Sequence, residues 1–115
     1  MKKKDTRPRV AKTAAAEGGE VALHKLLEAM LSLRTAGELH AFLEDLCTPA
    51  ELEAIADRWR VVPLLIEQVP YRDIHDRTGV SVTTIGRIAR CLGHGAGGYR
   101  IAAARVLGGP DSSSH

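Results

Sequence analysis

From Glu20 onward the apolar residues return with the spacing of amphipathic helices. Val21, Leu23, Leu26, Leu27, Met30, Leu31 and Leu33 form one broad apolar face, with Lys25, Glu28 and Arg34 outside it. This predicts a helix from residue 20 to about Arg34. "TAGEL" follows, and its Thr35 and Glu38 have the T-x-x-E spacing of a capping box, weakened slightly by Gly37. Leu39, Phe42, Leu43 and Leu46 carry the helical period to about Leu46. The strongest helix start is "CTPAELEAIADRWRVVPLLIEQ". There Thr48 can cap, Pro49 takes the first helical position and Glu51 closes a second T-x-x-E box. Leu52, Ile55, Ala56, Trp59, Val62 and Ile66 make its apolar face. Pro63 falls inside that pattern, removes one backbone hydrogen bond and predicts a kink near Trp59.

The remainder changes in character. "VPYRDIHDRTG" reads as a short helix entered through Pro70, burying Ile74 and stopping at Gly79. The next stretch, "TGVSVTTIGRIAR", is rich in β-branched residues and by propensity alone would be a strand. Its apolar positions decide otherwise. Val82, Ile85, Ile88, Ala89 and Leu92 recur at 3, 3, 1 and 3 residues, whereas a half-buried strand alternates strictly, and Ser81 offers an N-cap. "GHGAGGY" is a loop, "YRIAAARVL" a last short helix, and "GGPDSSSH" (108–115) a disordered tail. The first nineteen residues, "MKKKDTRPRVAKTAAAEGG", show no apolar period and end in a glycine pair, which predicts a flexible basic arm. No segment is a convincing strand, so the expected class is all-α, with six helices over 20–107.

Residues 71–91 have the spacing of a helix-turn-helix. Such a unit needs glycine between its helices, where φ is positive, and Gly79 supplies it. Ile74, Val80, Ile85 and Ile88 fall where the two helices meet, and His75 stands where the helices cross closely and a small residue is usual. The second helix of such a unit lies in the major groove with its first residues toward base edges; here those are Ser81, Val82, Thr83 and Gly86. Hydroxyls can donate or accept at base edges, and Val82 and the Thr83 methyl can touch a thymine methyl. Arg72, His75 and Ser81 are placed to hold phosphates, which sets register without reading sequence. Thr83, Arg87 and Arg90 occupy the outer face of the second helix, where a protein-docking module would carry apolar residues.

Charge sharpens this. The net +2 is unevenly spread: residues 1–16 carry six Lys/Arg against Asp5, residues 17–70 four basic against ten acidic groups, and residues 71–105 six arginines against Asp73 and Asp76. Both basic ends would be drawn to a polyanion. With one Trp, one Phe and two Tyr, the core must come from Leu, Ile, Val and Ala, and a second subunit would help so small a domain. Cys47 and Cys91 form no CxxC, the histidines no ligand pair, and no nucleophile–base pair or phosphate loop is present, so neither a metal site nor an enzyme is expected. No apolar run reaches membrane-spanning length and no signal h-region follows the basic start, which predicts a cytoplasmic chain without membrane contact.

The motifs "LCTPAELEAIADRWRVV", "TGVSVTTIGR" and "RCLGHGAGGY" resemble the Trp repressor superfamily, and the last is similar to the signature of its YerC/YecD branch. The resemblance covers roughly residues 20–107. It implies an all-helical, intertwined homodimer that reads palindromic double-stranded DNA as a regulator of transcription, most simply a repressor. It also implies phosphate contacts from Arg72 and His75 and groove contacts from Val82, Thr83 and Gly86. Thr48, Arg58 and Arg87 match three residues that hold the ligand in the tryptophan-sensing member, and a serine of that pocket is here Cys91. The pocket glycine is here Ile88, whose bulk would fill the indole space and argues against tryptophan as co-repressor; no cofactor is expected. Two alternatives stand beside the regulator: a sensor of an amino-acid-like effector, and a helical interaction module that does not read DNA.

Overall fold

The computed structural model describes residues 8–108, and their side chains from Gly18 onward. Six helices span it: α1 (Pro8–Ser32), α2 (Ala36–Leu46), α3 (Pro49–Ile66), α4 (Tyr71–Thr78), α5 (Val82–His94) and α6 (Gly98–Leu107). No strand occurs among the described residues, as periodicity predicts. The helices divide into two compact units, one holding α1 and α2 and the other α3 to α6.

In the first unit, α1 begins twelve residues before the expected Glu20. The segment read as the end of a flexible arm carries Pro8 at the first helical position and the helix-forming run "AKTAAAE". The helix runs through Gly18 and Gly19, each about 1 kcal/mol less favourable there than alanine. Residues 1–7 of the expected arm and 109–115 of the expected tail lie outside the described residues. Between α1 and α2 the expected capping box is half formed. Thr35 Oγ1 accepts from Glu38 N at 3.0 Å, but Glu38 Oε1 accepts from Arg34 N at 2.8 Å, one residue ahead of the cap. No described residue of this unit is buried, and Leu31 is 85% exposed.

In the second unit α3 starts on the complete capping box. Thr48 Oγ1 accepts from Glu51 N at 3.1 Å, and Glu51 Oε1 accepts from Thr48 N at 2.8 Å. The helix is continuous through Pro63, which leaves the Trp59 carbonyl without its usual donor four residues on. It ends on two reversed bonds, Gln68 N to Leu65 O and Val69 N to Leu64 O, with Gln68 left-handed at φ 64°. This is the Schellman arrangement with glutamine where glycine is usual.

The core of this unit is small and drawn from each of its four helices. Val61 and Val62 of α3, Ile74 of α4, Ile85 and Ile88 of α5 and Ala103 of α6 are fully or almost fully buried. Val80 and Leu92 pack against them, and Trp59 stacks on Tyr99 with ring centroids 6.5 Å apart. Only the second half of α3 joins this core. Ile55 and Ala56, expected on its buried face, remain exposed.

Candidate nucleic-acid interface

The α4–turn–α5 unit is built by local chemistry. Gly79 takes φ 78° and ψ −3°, and its N–H closes α4 onto the His75 carbonyl at 2.8 Å. Thr78 Oγ1 donates to Ile74 O at 2.7 Å and accepts from Val80 N at 3.1 Å, so the one hydroxyl serves both sides of the glycine. Ser81 opens α5: its Oγ accepts from Thr84 N at 3.1 Å and donates to Thr84 Oγ1 at 2.9 Å. The turn is braced from outside as well. Arg60 of α3 donates from Nη2 to Arg77 O at 3.3 Å, satisfying a carbonyl that the end of α4 leaves free, while its Nη1 meets Asp57 Oδ1 at 3.3 Å.

α5 presents two different faces. Ile85 and Ile88 are locked into the core at 0% and 1% exposure, which fixes the rotation of the helix about its axis. The opposite face carries Val82 (50% exposed), Thr83, Arg87 and Arg90 into solvent, with Gly86 half-buried between them. Arg72 and His75 on α4 are exposed as well. All eight expected DNA contacts are exposed except Gly86, which is half-buried. Two already have internal partners: the Ser81 hydroxyl hydrogen is given to Thr84 Oγ1, and His75 Nδ1 lies 2.8 Å from Val80 O. The first turn of α5 adds backbone N–H groups at Val82 and Thr83 that have no partner within the helix, a setting that favours anions.

The far end of α5 is held by a residue that sequence reasoning overlooked. Arg100 of α6 donates from Nη2 to Leu92 O at 3.1 Å and to Gly93 O at 3.0 Å. A guanidinium on the last carbonyls of a helix satisfies free acceptors and opposes the helix dipole. The α5 exit also demands glycine at 95, since a side chain there would drive its Cβ into the Cys91 backbone. Tyr71 is a second overlooked neighbour: its ring lies beside Gly86, with Cε2 4.0 Å from where a Cβ would stand. Neither arginine nor tyrosine announces such a role in one dimension; only the crossing of the helices creates it.

The five residues matched to a ligand pocket are distributed differently. Ile88 is core, Thr48 is engaged in its capping box, Arg58 and Arg87 are exposed, and Cys91 is a half-buried free thiol. An open groove of about 500 Å³ does exist in this unit, but Leu65, Gln68, Val69, Pro70, Tyr71, Ala89, Leu92 and Gly93 line it, and none of the five is among them. Among the described residues no group of three or more His, Cys, Asp or Glu could hold a metal, and no helix is long and apolar enough to cross a membrane.

This geometry has known counterparts. The family model described as Trp repressor protein matches residues 21–107. The uncharacterized protein YerC of Bacillus subtilis strain 168 is 39% identical over 84 residues, covering 73% of this chain and 81% of YerC. The crystal structure of a TrpR-like protein from Eubacterium eligens superposes with a TM-score of 0.70 at 39% identity, covering 76% of this chain and 89% of that one. A candidate Trp repressor from Staphylococcus aureus gives 0.71 at 31% identity, covering 76% and 87%. The chain belongs to the Trp repressor family, and its fold is the all-helical fold of that family.

Proposed function

We propose that this chain is a sequence-specific DNA-binding regulator of transcription, acting as a dimeric repressor on a palindromic operator. The observation that carries the reading is the division of α5: Ile85 and Ile88 anchor one face in the core, and Val82, Thr83, Gly86, Arg87 and Arg90 leave the other open. A helix held in that rotation can enter a major groove with short side chains first and arginines at its flanks. Arg72 and His75 would meet the backbone on the near side of the groove. The +4 balance of residues 71–105 supplies the non-specific attraction.

A dimer is supported by apolar surface that one chain leaves uncovered. Val21, Leu23, Leu27, Leu31 and Leu46 are all about half exposed or more, as are Ile101 and Val106. So many exposed large apolar side chains in each unit of a small domain call for a partner, and a second copy is the simplest one. Two reading helices related by a twofold axis would then sit one helical turn apart, about 34–36 Å.

Selection of bound sequences from a random duplex pool tests the proposal. An enriched dyad is the expected result. If no sequence is enriched and affinity follows salt alone, specific regulation is ruled out.

A further inference from the structure

His75 Nδ1 lies 2.8 Å from the carbonyl oxygen of Val80, across the turn between α4 and α5. A carbonyl oxygen can only accept, so Nδ1 carries the hydrogen and donates. That bond fixes the tautomer of the neutral ring and leaves Nε2 as a bare lone pair on an exposed side chain. A phosphate oxygen is also an acceptor. Neutral His75 therefore has no hydrogen to offer DNA; a second proton, on Nε2, turns the same ring into a charged donor while the Val80 bond persists.

We propose that His75 engages a DNA phosphate only as the imidazolium, so that DNA binding takes up a proton at each reading head. The inference rests on the DNA-binding reading above and specifies how that site is regulated. The charged and titratable groups on the packed elements are Tyr71, Arg72, Asp73, Asp76 and Arg77 on α4, Glu51, Glu53, Asp57, Arg58 and Arg60 on α3, and Arg87, Arg90, Cys91 and His94 on α5. Among the described residues, Asp57 is paired with Arg60, and His75 is in no ion pair. A phosphate would favour the charged ring, so the complex holds the proton more tightly than the free protein. The extra affinity is complete at low pH, where the free ring is already charged, and is lost as pH rises through the range in which the bound ring deprotonates. Imidazole is the side chain whose charge ordinarily changes between about pH 5 and 8, which makes the coupling visible under mild conditions.

The test uses the full chain and a labelled mixed-sequence duplex, since a phosphate contact needs no particular sequence. Wild-type affinity should fall about three- to tenfold from about pH 6 to about pH 8.5. The slope of log affinity against log salt should be shallower at the higher pH by about 0.9 per head, because one fewer counterion is released. His75→Gln should lose both effects, and His75→Lys should bind well with a flat profile. His24, His40, His94 and His115 are common to all three proteins, so the difference isolates position 75. Equal pH dependence in wild type and His75→Gln, or a wild-type salt slope that does not change with pH, overturns the inference alone. Absence of binding at every pH overturns the DNA reading and the inference with it.

Discussion

Gly86 and Tyr71 leave room for one methyl group between them. A Cβ at Gly86 would lie 4.0 Å from Tyr71 Cε2 and 3.9 Å from Arg90 Nη1, ordinary contact distances on a helix with ordinary dihedrals. Nothing inside the chain requires glycine at this place. On the proposed DNA reading, the space would be left for the groove wall that α5 approaches. Gly86→Ala should raise stability by about 1 kcal/mol, read from chemical unfolding, and still weaken DNA binding severalfold. A variant that gains stability and keeps full affinity would place Gly86 outside the contact surface.

Thr83 and Arg72 should separate reading from holding. Thr83→Ala removes a hydroxyl and a methyl from the groove face, so the set of selected sequences should change. Arg72→Ala should weaken all sequences alike and lower the salt slope by about 0.9 per head. Binding curves on several duplexes at two salt concentrations distinguish the two outcomes.

Ile88 is a structural residue of the second unit, not a wall of an open pocket. At 1% exposure beside Val61, Val62 and Ile85, its truncation to alanine should lower stability by about 2–5 kcal/mol. Millimolar tryptophan should shift the melting temperature of neither the wild type nor Ile88→Ala, since a ligand stabilises only a folded state that binds it. A tryptophan-dependent rise in Ile88→Ala would mean that the side chain blocks a site after all.

Gln68 stands in a left-handed conformation at φ 64°, at the end of α3 and on the rim of the open groove. Gln68→Gly relieves the Cβ strain there, while glycine loosens the unfolded chain and returns part of that gain. A net rise of about 0.5–1 kcal/mol in unfolding free energy is expected. Denaturant titration measures it directly.

What could be read from the sequence was whatever a few neighbouring residues decide among themselves. The Thr48–Pro49–Glu51 start, the Gly79 turn and the Ser81 cap are of this kind, and each forms at the position its spacing predicts. The β-branched run of α5 yielded to periodicity because Ile85 and Ile88 had a core to enter. Ile88 was legible in two incompatible ways, as a core position by spacing and as a pocket position by resemblance, and packing sides with the core. The start of α1 was missed because alanine propensity, not an apolar face, extends that helix. The longer-range bonds of Arg60 and Arg100 were out of reach, since their partners lie 17 and up to 8 residues away on other helices.

Those two arginines bear on how far the α4–turn–α5 unit can stand by itself. It is no portable cassette. Residues 71–94 lifted onto another scaffold would keep the glycine turn and the serine cap, which are internal to the segment. They would lose two guanidinium groups, Arg60 on the final turn of α4 beside the central turn and Arg100 on the tail of α5. The transplanted helices would still form, with their ends unclasped and their mutual angle free to drift.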